Sequence, residues 1–258
     1  MKIGVQNNLM LEEDLVEKAK YLQSLGIQSF EIDGAVLLEK FDEVKEMTKY
    51  VQVNSVCAGY RHWIGSYEEV ERTECLHDLE KIIKKLDKLS GGGIVVPGAW
   101  ALGTYRLPKM NPIRSEEETF QVLSDSLKKL DKICEGTKVK IYLEPLNRYQ
   151  DFQINTLKDA VDLIEKNQLK NILITADLYH MNIEEDNIIQ SIKENIKYIG
   201  HVHLAENHRF EPGTGSINFK EIFKVYDDLG FTGNAVLECR FKKETKEAFE
   251  AAINYLKG

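Results

Sequence analysis

Four side chains in the second half of the sequence are of types that bind metal ions or move protons: Glu144, Asp177, His203 and Glu238. Each ends a short apolar run or stands close to its end. Ile141-Tyr142-Leu143 leads straight into Glu144, and Pro145, Asn147 and Arg148 then turn the chain. Burying a carboxylate at a strand end is costly unless the charge is paired. Three carboxylates gathered in one place raise one another's pKa unless a cation sits among them. With one imidazole they make an O₃N donor set. That set suits Mn²⁺, Co²⁺ or Mg²⁺ better than a structural thiolate zinc site. A lone strand-end acid is more often a helix cap or an ion-pair partner. Four such residues on successive strands make separate structural roles the poorer reading.

The elements that must position them repeat along the chain. Short β-branched runs read as strands over residues 2–5, 29–32, 51–56, 93–96, 138–144, 171–177, 198–204 and 234–239. Between them lie amphipathic stretches such as "LEEDLVEKAKYLQSLG" and "YEEVERTECLHDLEKIIKKLDKLS", with apolar positions three and four apart. "TLKDAVDLIEK" opens on a threonine N-cap with an aspartate three residues on. Alternating strands and helices imply a parallel sheet, and eight units fit an α/β fold of the closed (β/α)₈ TIM-barrel type. An open doubly wound sheet is weaker, because no glycine-rich phosphate loop follows the first strand. The glycines of "SGGGIVV" precede a strand, so they read as a helix end and turn. Active sites of parallel barrels lie at the C-terminal ends of the strands. The four residues therefore belong on one rim.

The 258 residues are ample for one barrel domain spanning 1–258. A net charge of −8 argues against a nucleic-acid or anionic-membrane partner. No apolar run approaches the roughly 20 residues of a bilayer span, and the N-terminus lacks a signal layout. The expected setting is cytoplasmic. Cys57, Cys75, Cys134 and Cys239 are scattered without CxxC spacing, which fits reduced thiols.

"LEPLNRYQ", "ADLYHMNIEE", "GHVHLAENHRFEPGTGSINF" and "VLECR" resemble four blocks of the xylose-isomerase-like sugar isomerase/epimerase superfamily. Among its branches, the D-tagatose 3-epimerase and D-psicose (allulose) 3-epimerase group is the most similar. The resemblance covers Lys138 to Arg240, with intervals of 33, 26 and 35 residues between successive ligand positions. It implies that Glu144, Asp177, His203 and Glu238 bind one divalent metal, commonly Mn²⁺, with Co²⁺, Mg²⁺ or zinc admissible. The implied reaction is C3 epimerisation of a ketose or ketose phosphate through a metal-stabilised enediolate. Glu144 and Glu238 would be the two carboxyl groups that remove and return the proton on opposite faces. By the same resemblance His180 and Arg209 contact the substrate, and the protein is a homo-oligomer, a dimer or tetramer. Two departures bear on substrate identity. Gln150 stands where the epimerases often have glutamate, and glutamine cannot act as an anionic acceptor. "HLAENHR" replaces the more usual "DSNR" spelling.

Weaker candidates surround this set. Glu31 ends the second strand and could face the sugar or support Glu238. His201 shares a strand face with His203, one layer deeper, and reads as a core histidine. Trp100 and Trp63 could wall the ligand, while His62, His77 and His208 read as surface residues. Cys57 and Cys239 read as small buried hydrophobes. Residues 102–118, "LGTYRLPKMNPIRSEEE", look like a loop over the site that leads to a capped helix. The competing functions are a metal-dependent dehydratase of the inosose or 3-dehydroshikimate type, an apurinic endonuclease, and a sugar-binding barrel without turnover. The endonuclease needs additional histidines on the first four strands, and those strands have none.

Overall fold

The computed structural model describes residues 1–8, 10–89, 91–100, 102 and 111–258. Eight strands, β1 (Lys2–Gln6), β2 (Ser29–Ile32), β3 (Gln52–Cys57), β4 (Gly92–Pro97), β5 (Val139–Glu144), β6 (Ile172–Asp177), β7 (Ile199–Leu204) and β8 (Asn234–Leu237), pair in parallel. They close in sequence order into a barrel. The helices among the described residues are α1 (Leu15–Ser24), α2 (Gly34–Glu39), α3 (Phe41–Met47), α4 (Glu69–Asp87), α5 (Glu116–Cys134), α6 (Leu157–Asn167), α7 (Leu178–Glu184), α8 (Ile188–Asn195), α9 (Phe219–Asp228) and α10 (Lys246–Lys257).

Local chemistry explains where these helices begin. Asp14 caps α1 by accepting the Val16 and Glu17 N–H groups, both at 2.9 Å. Thr156 and Asp159 form a reciprocal capping box at α6, and Ser115 and Glu118 form another at α5. β2 and β4–β8 are buried along nearly their whole length, as a parallel sheet covered by helices requires. Leu79, Ile82, Ile83 and Leu86 of α4 and Leu123, Leu127 and Leu130 of α5 are all buried in the resulting core.

Apart from β2, the strands shift by one or two residues from the sequence expectation. β8 ends at Leu237, so Glu238 lies just past the strand, although its N–H still donates to Leu204 O at 3.1 Å. β4 takes in Gly92, one residue earlier than the expected strand start at Gly93. Tyr142 of the adjacent strand β5 requires the glycine at 93, since a Cβ there would stand 2.0 Å from its ring. Tyr142 in turn stacks on His201, with centroids 5.1 Å apart and planes 6° from parallel. No helix among the described residues is long and apolar enough to cross a membrane.

Candidate active site

The barrel brings four strand ends to one point. Glu144 is the last residue of β5, Asp177 the last of β6, and Asp177 pairs in register with His203 of β7. Glu238 follows from β8, whose Val236 pairs with His203. One donor atom from each of the four lies within 4.8 Å of all the others. His203 Nδ1 is 3.0 Å from Glu144 Oε1, 3.1 Å from Glu238 Oε2 and 3.7 Å from Asp177 Oδ2. Asp177 divides its oxygens. Oδ1 caps α7 by accepting Tyr179 N–H at 2.8 Å and His180 N–H at 3.1 Å, while Oδ2 turns to the cluster.

The electrostatics of this cluster are uneven. Burial raises Glu144 to about 7, only partly offset by His203. Burial also pushes Glu238 upward, but His203 and Arg209 outweigh it and leave its carboxyl below the usual range. Asp177 is held well below its usual range because Arg209, His180 and His203 overcome burial. His203 is raised well above an ordinary histidine, since Glu238, Glu31 and Glu144 overcome the burial that opposes its charge. His203 and Arg209 thus stand among the acids. Arg209 donates to Asp177 Oδ2 at 2.7 Å and to Glu238 Oε2 at 2.5 Å.

This donor set fits a divalent cation. Three carboxylates and one imidazole converge, and positive side chains already occupy the field a metal ion would neutralise. His203 is oriented from behind, with Nε2 3.0 Å from Glu31 Oε1, so Nδ1 is the nitrogen turned to the acids.

The remaining sequence candidates are placed as follows. His180 is buried, and its Nδ1 accepts the Asn147 N–H at 3.0 Å, so the hydrogen of the neutral ring resides on Nε2. Burial lowers it to about 4, which makes it a neutral hydrogen-bond donor at ordinary pH. Arg209 adopts left-handed backbone, φ 63°. The buried Glu206 carboxylate staples its loop by accepting Gly213 and Ile217 N–H groups, each at 3.0 Å. The Arg209 guanidinium also lies 4.8 Å from the Tyr179 ring centroid.

Glu31 is 1% exposed, with Oε2 2.9 Å from His201 Nε2 and Oε1 3.0 Å from His203 Nε2, so it braces both histidines. Gln150 sits in the turn after β5, its N–H donating to Asn147 O at 2.9 Å. Trp100 lies in the loop after β4 and is 53% exposed. Trp63 packs edge-on to Tyr60 in the loop after β3. The expected covering loop falls largely on residues 103–110, outside the described residues.

Sequence reasoning missed several supporting groups. Gln6 Nε2 donates to Glu31 Oε1 at 2.8 Å and to Glu238 Oε1 at 3.0 Å. Asn147 fixes His180, and Glu184 holds Arg148 through its N–H at 2.7 Å and its Nη2 at 2.8 Å. Asn147 and Arg148 lie within the "LNR" block already singled out, which was the available signal. Gln6 had none.

The sequence from residue 19 to 258 matches the family described as xylose isomerase-like TIM barrel. A 3-dehydro-D-guloside 4-epimerase of Escherichia coli (strain K12) is 42% identical over 260 residues, covering 100% of this chain and 99% of the relative. A D-psicose 3-epimerase of Enterocloster bolteae is 36% identical over 249 residues, covering 92% of this chain and 82% of the relative. Among solved structures, the apo form of a 3-keto-D-glucoside 4-epimerase from E. coli superposes with a TM-score of 0.96 at 42% identity. It covers 100% of this chain and 99% of that one.

Proposed function

The chain belongs to the xylose isomerase-like TIM-barrel family, and from that premise we propose that it is a metal-dependent sugar epimerase. Its reaction inverts a carbon next to a ketone. The full-length similarity to a 4-epimerase of 3-keto sugars favours a 3-keto-glycoside inverted at C4. The C3 epimerisation expected from the ketose branch is the same chemistry with the carbonyl one carbon away. In both, the proton removed is α to the carbonyl.

The observation that carries this reading is the convergence of two glutamates, an aspartate and a histidine within 4.8 Å. A divalent cation held by Glu144, Asp177, His203 and Glu238, with Mn²⁺ our choice, would supply Lewis-acid polarisation of the substrate oxygens. Glu144 and Glu238, whose carboxylates lie 3.0 and 3.1 Å from His203 Nδ1, are the two groups that would remove and return the proton. Neutral His180 offers Nε2–H and Arg209 its guanidinium to substrate oxygens that gain negative charge. Trp100, in the loop after β4, and Gln150, in the turn after β5, would meet the part of the sugar remote from the reacting carbon. We place the protein in the cytoplasm and read it as a homo-oligomer, on composition and family resemblance.

The test is NMR in D₂O with the full chain, added Mn²⁺, a methyl 3-keto-glucoside and a panel of ketoses and ketose phosphates. Deuterium entering C4 of the glycoside with formation of its C4 epimer is the expected result. Deuterium at C3 of a ketose alone would move the substrate to that class. Loss of water from the sugar would replace epimerisation by dehydration.

A further inference from the structure

Gln6 ends β1, between two acids that the barrel closure sets on either side of it. Gln6 pairs in register with Glu31 of β2. Its neighbour Val5 pairs with Leu237, the residue before Glu238. The amide nitrogen spans both, donating to Glu31 Oε1 at 2.8 Å and to Glu238 Oε1 at 3.0 Å. Both partners are acceptors, so the nitrogen end of the amide must face them.

These contacts close a ring. Glu31 Oε1 is 3.0 Å from His203 Nε2, His203 Nδ1 is 3.1 Å from Glu238 Oε2, and Glu238 Oε1 returns to Gln6. One hydrogen of the Gln6 amide ties the carboxylate that orients His203. The other ties Glu238, one of the two carboxylates assigned the proton transfer. With Oε1 engaged by Gln6, Oε2 is the oxygen of Glu238 turned toward His203 and Arg209.

We propose that Gln6 is a positioning residue for this site: it fixes the carboxylate plane of Glu238 and, through Glu31, the ring of His203. The residue type suits the task. A lysine or arginine here would add a charge that competes with the metal, and a glutamate would repel both neighbours. An amide nitrogen supplies two hydrogens without adding charge. A side chain one methylene shorter cannot reach both acids.

The inference rests on the proposed reaction for its kinetic arm but not for its binding arm. Gln6→Met removes both hydrogens at similar volume, and Gln6→Asn keeps an amide that falls short. The probe is Mn²⁺ alone, titrated into the chelator-stripped full chain and followed by EPR of the free ion. Steady-state kinetics with the 3-keto-glycoside run in parallel. Both variants are expected to bind Mn²⁺ about 10–100-fold more weakly and to lose kcat by a like factor, with KM within about threefold and unchanged circular dichroism. Wild-type Mn²⁺ affinity in both variants, or a rise in KM with affinity and kcat intact, would overturn the assignment. Loss of Mn²⁺ binding that merely tracks a lost fold in Gln6→Met, with Gln6→Asn behaving as wild type, would also overturn it. If the wild-type chain binds Mn²⁺ but turns over no glycoside, the proposed function fails while the titration still decides the role of Gln6.

Discussion

Glu144 and Glu238 sit on either side of His203 Nδ1, at 3.0 and 3.1 Å, yet their proton affinities are pushed apart. Glutamine at either position keeps the shape and removes the ability to exchange a proton. Glu144→Gln and Glu238→Gln are each expected to lower turnover by at least about 10²–10⁴-fold with the fold retained. Deuterium incorporation and circular dichroism on each variant check this, and near-normal exchange in either one would sink the two-carboxylate reaction. A further titrating residue, Asp151, lies outside the four-residue cluster. Burial raises Asp151 from 3.8 to about 7, against the pull of the Phe152, Gln153 and Ala99 N–H groups and Arg114. The folded chain therefore binds this proton more tightly than the unfolded chain, so stability falls as pH rises from about 4 to about 7. Asp151→Asn cannot ionise and should gain on the parent over that window, by up to about 1.4 kcal/mol per pKa unit. Urea unfolding of both proteins at pH 5 and pH 8 measures it; an advantage no larger at pH 8 contradicts the raised carboxyl.

At the scale of elements, the site depends on strands that end where their helices are capped. Asp177 does both jobs, with Oδ1 on the α7 amides and Oδ2 facing the cluster. The acid is thereby held by the same hydrogen bonds that start the helix. α6 shows capping without site chemistry. Thr156 Oγ1 accepts Asp159 N–H at 3.2 Å, and Asp159 Oδ2 accepts Thr156 N–H at 2.9 Å. Thr156→Ala should cost about 1 kcal/mol in denaturant unfolding and leave Mn²⁺ affinity unchanged. A loss of metal binding there would show that α6 positions the centre as well. The loop after β7 is a third device, since the buried Glu206 carboxylate holds it at both ends while Arg209 takes left-handed backbone at its turn.

For the molecule as a whole, a cation that binds the folded site and not the unfolded chain would stabilise it by mass action. Mn²⁺ at about 100 times its Kd should stabilise the chain by about 2.7 kcal/mol, roughly 5–10 °C in Tm for a chain of this size. Thermal unfolding with EDTA and with Mn²⁺ compares the two, and coincident curves would argue against a metal site. The barrel was legible in advance because its signal is repeated: eight β-branched runs separated by helical periodicity leave few alternatives. The gathering of Glu144, Asp177, His203 and Glu238 followed from that repeat, since each sits at or near the end of a run. Other features depended on distance through space. Glu31 shows only through space that its carboxylate reaches both His201 and His203. Gln6 carried no sequence mark, because an amide at a strand end is ordinary until two carboxylates from β2 and β8 flank it. The amino-acid sequence by itself determined which strands exist, which acids end them and which family they resemble, because periodicity and residue type are local properties. The tertiary structure alone decided which oxygen faces which partner, because barrel closure sets residues such as Gln6 and Glu238 within 3.0 Å across 232 positions of chain.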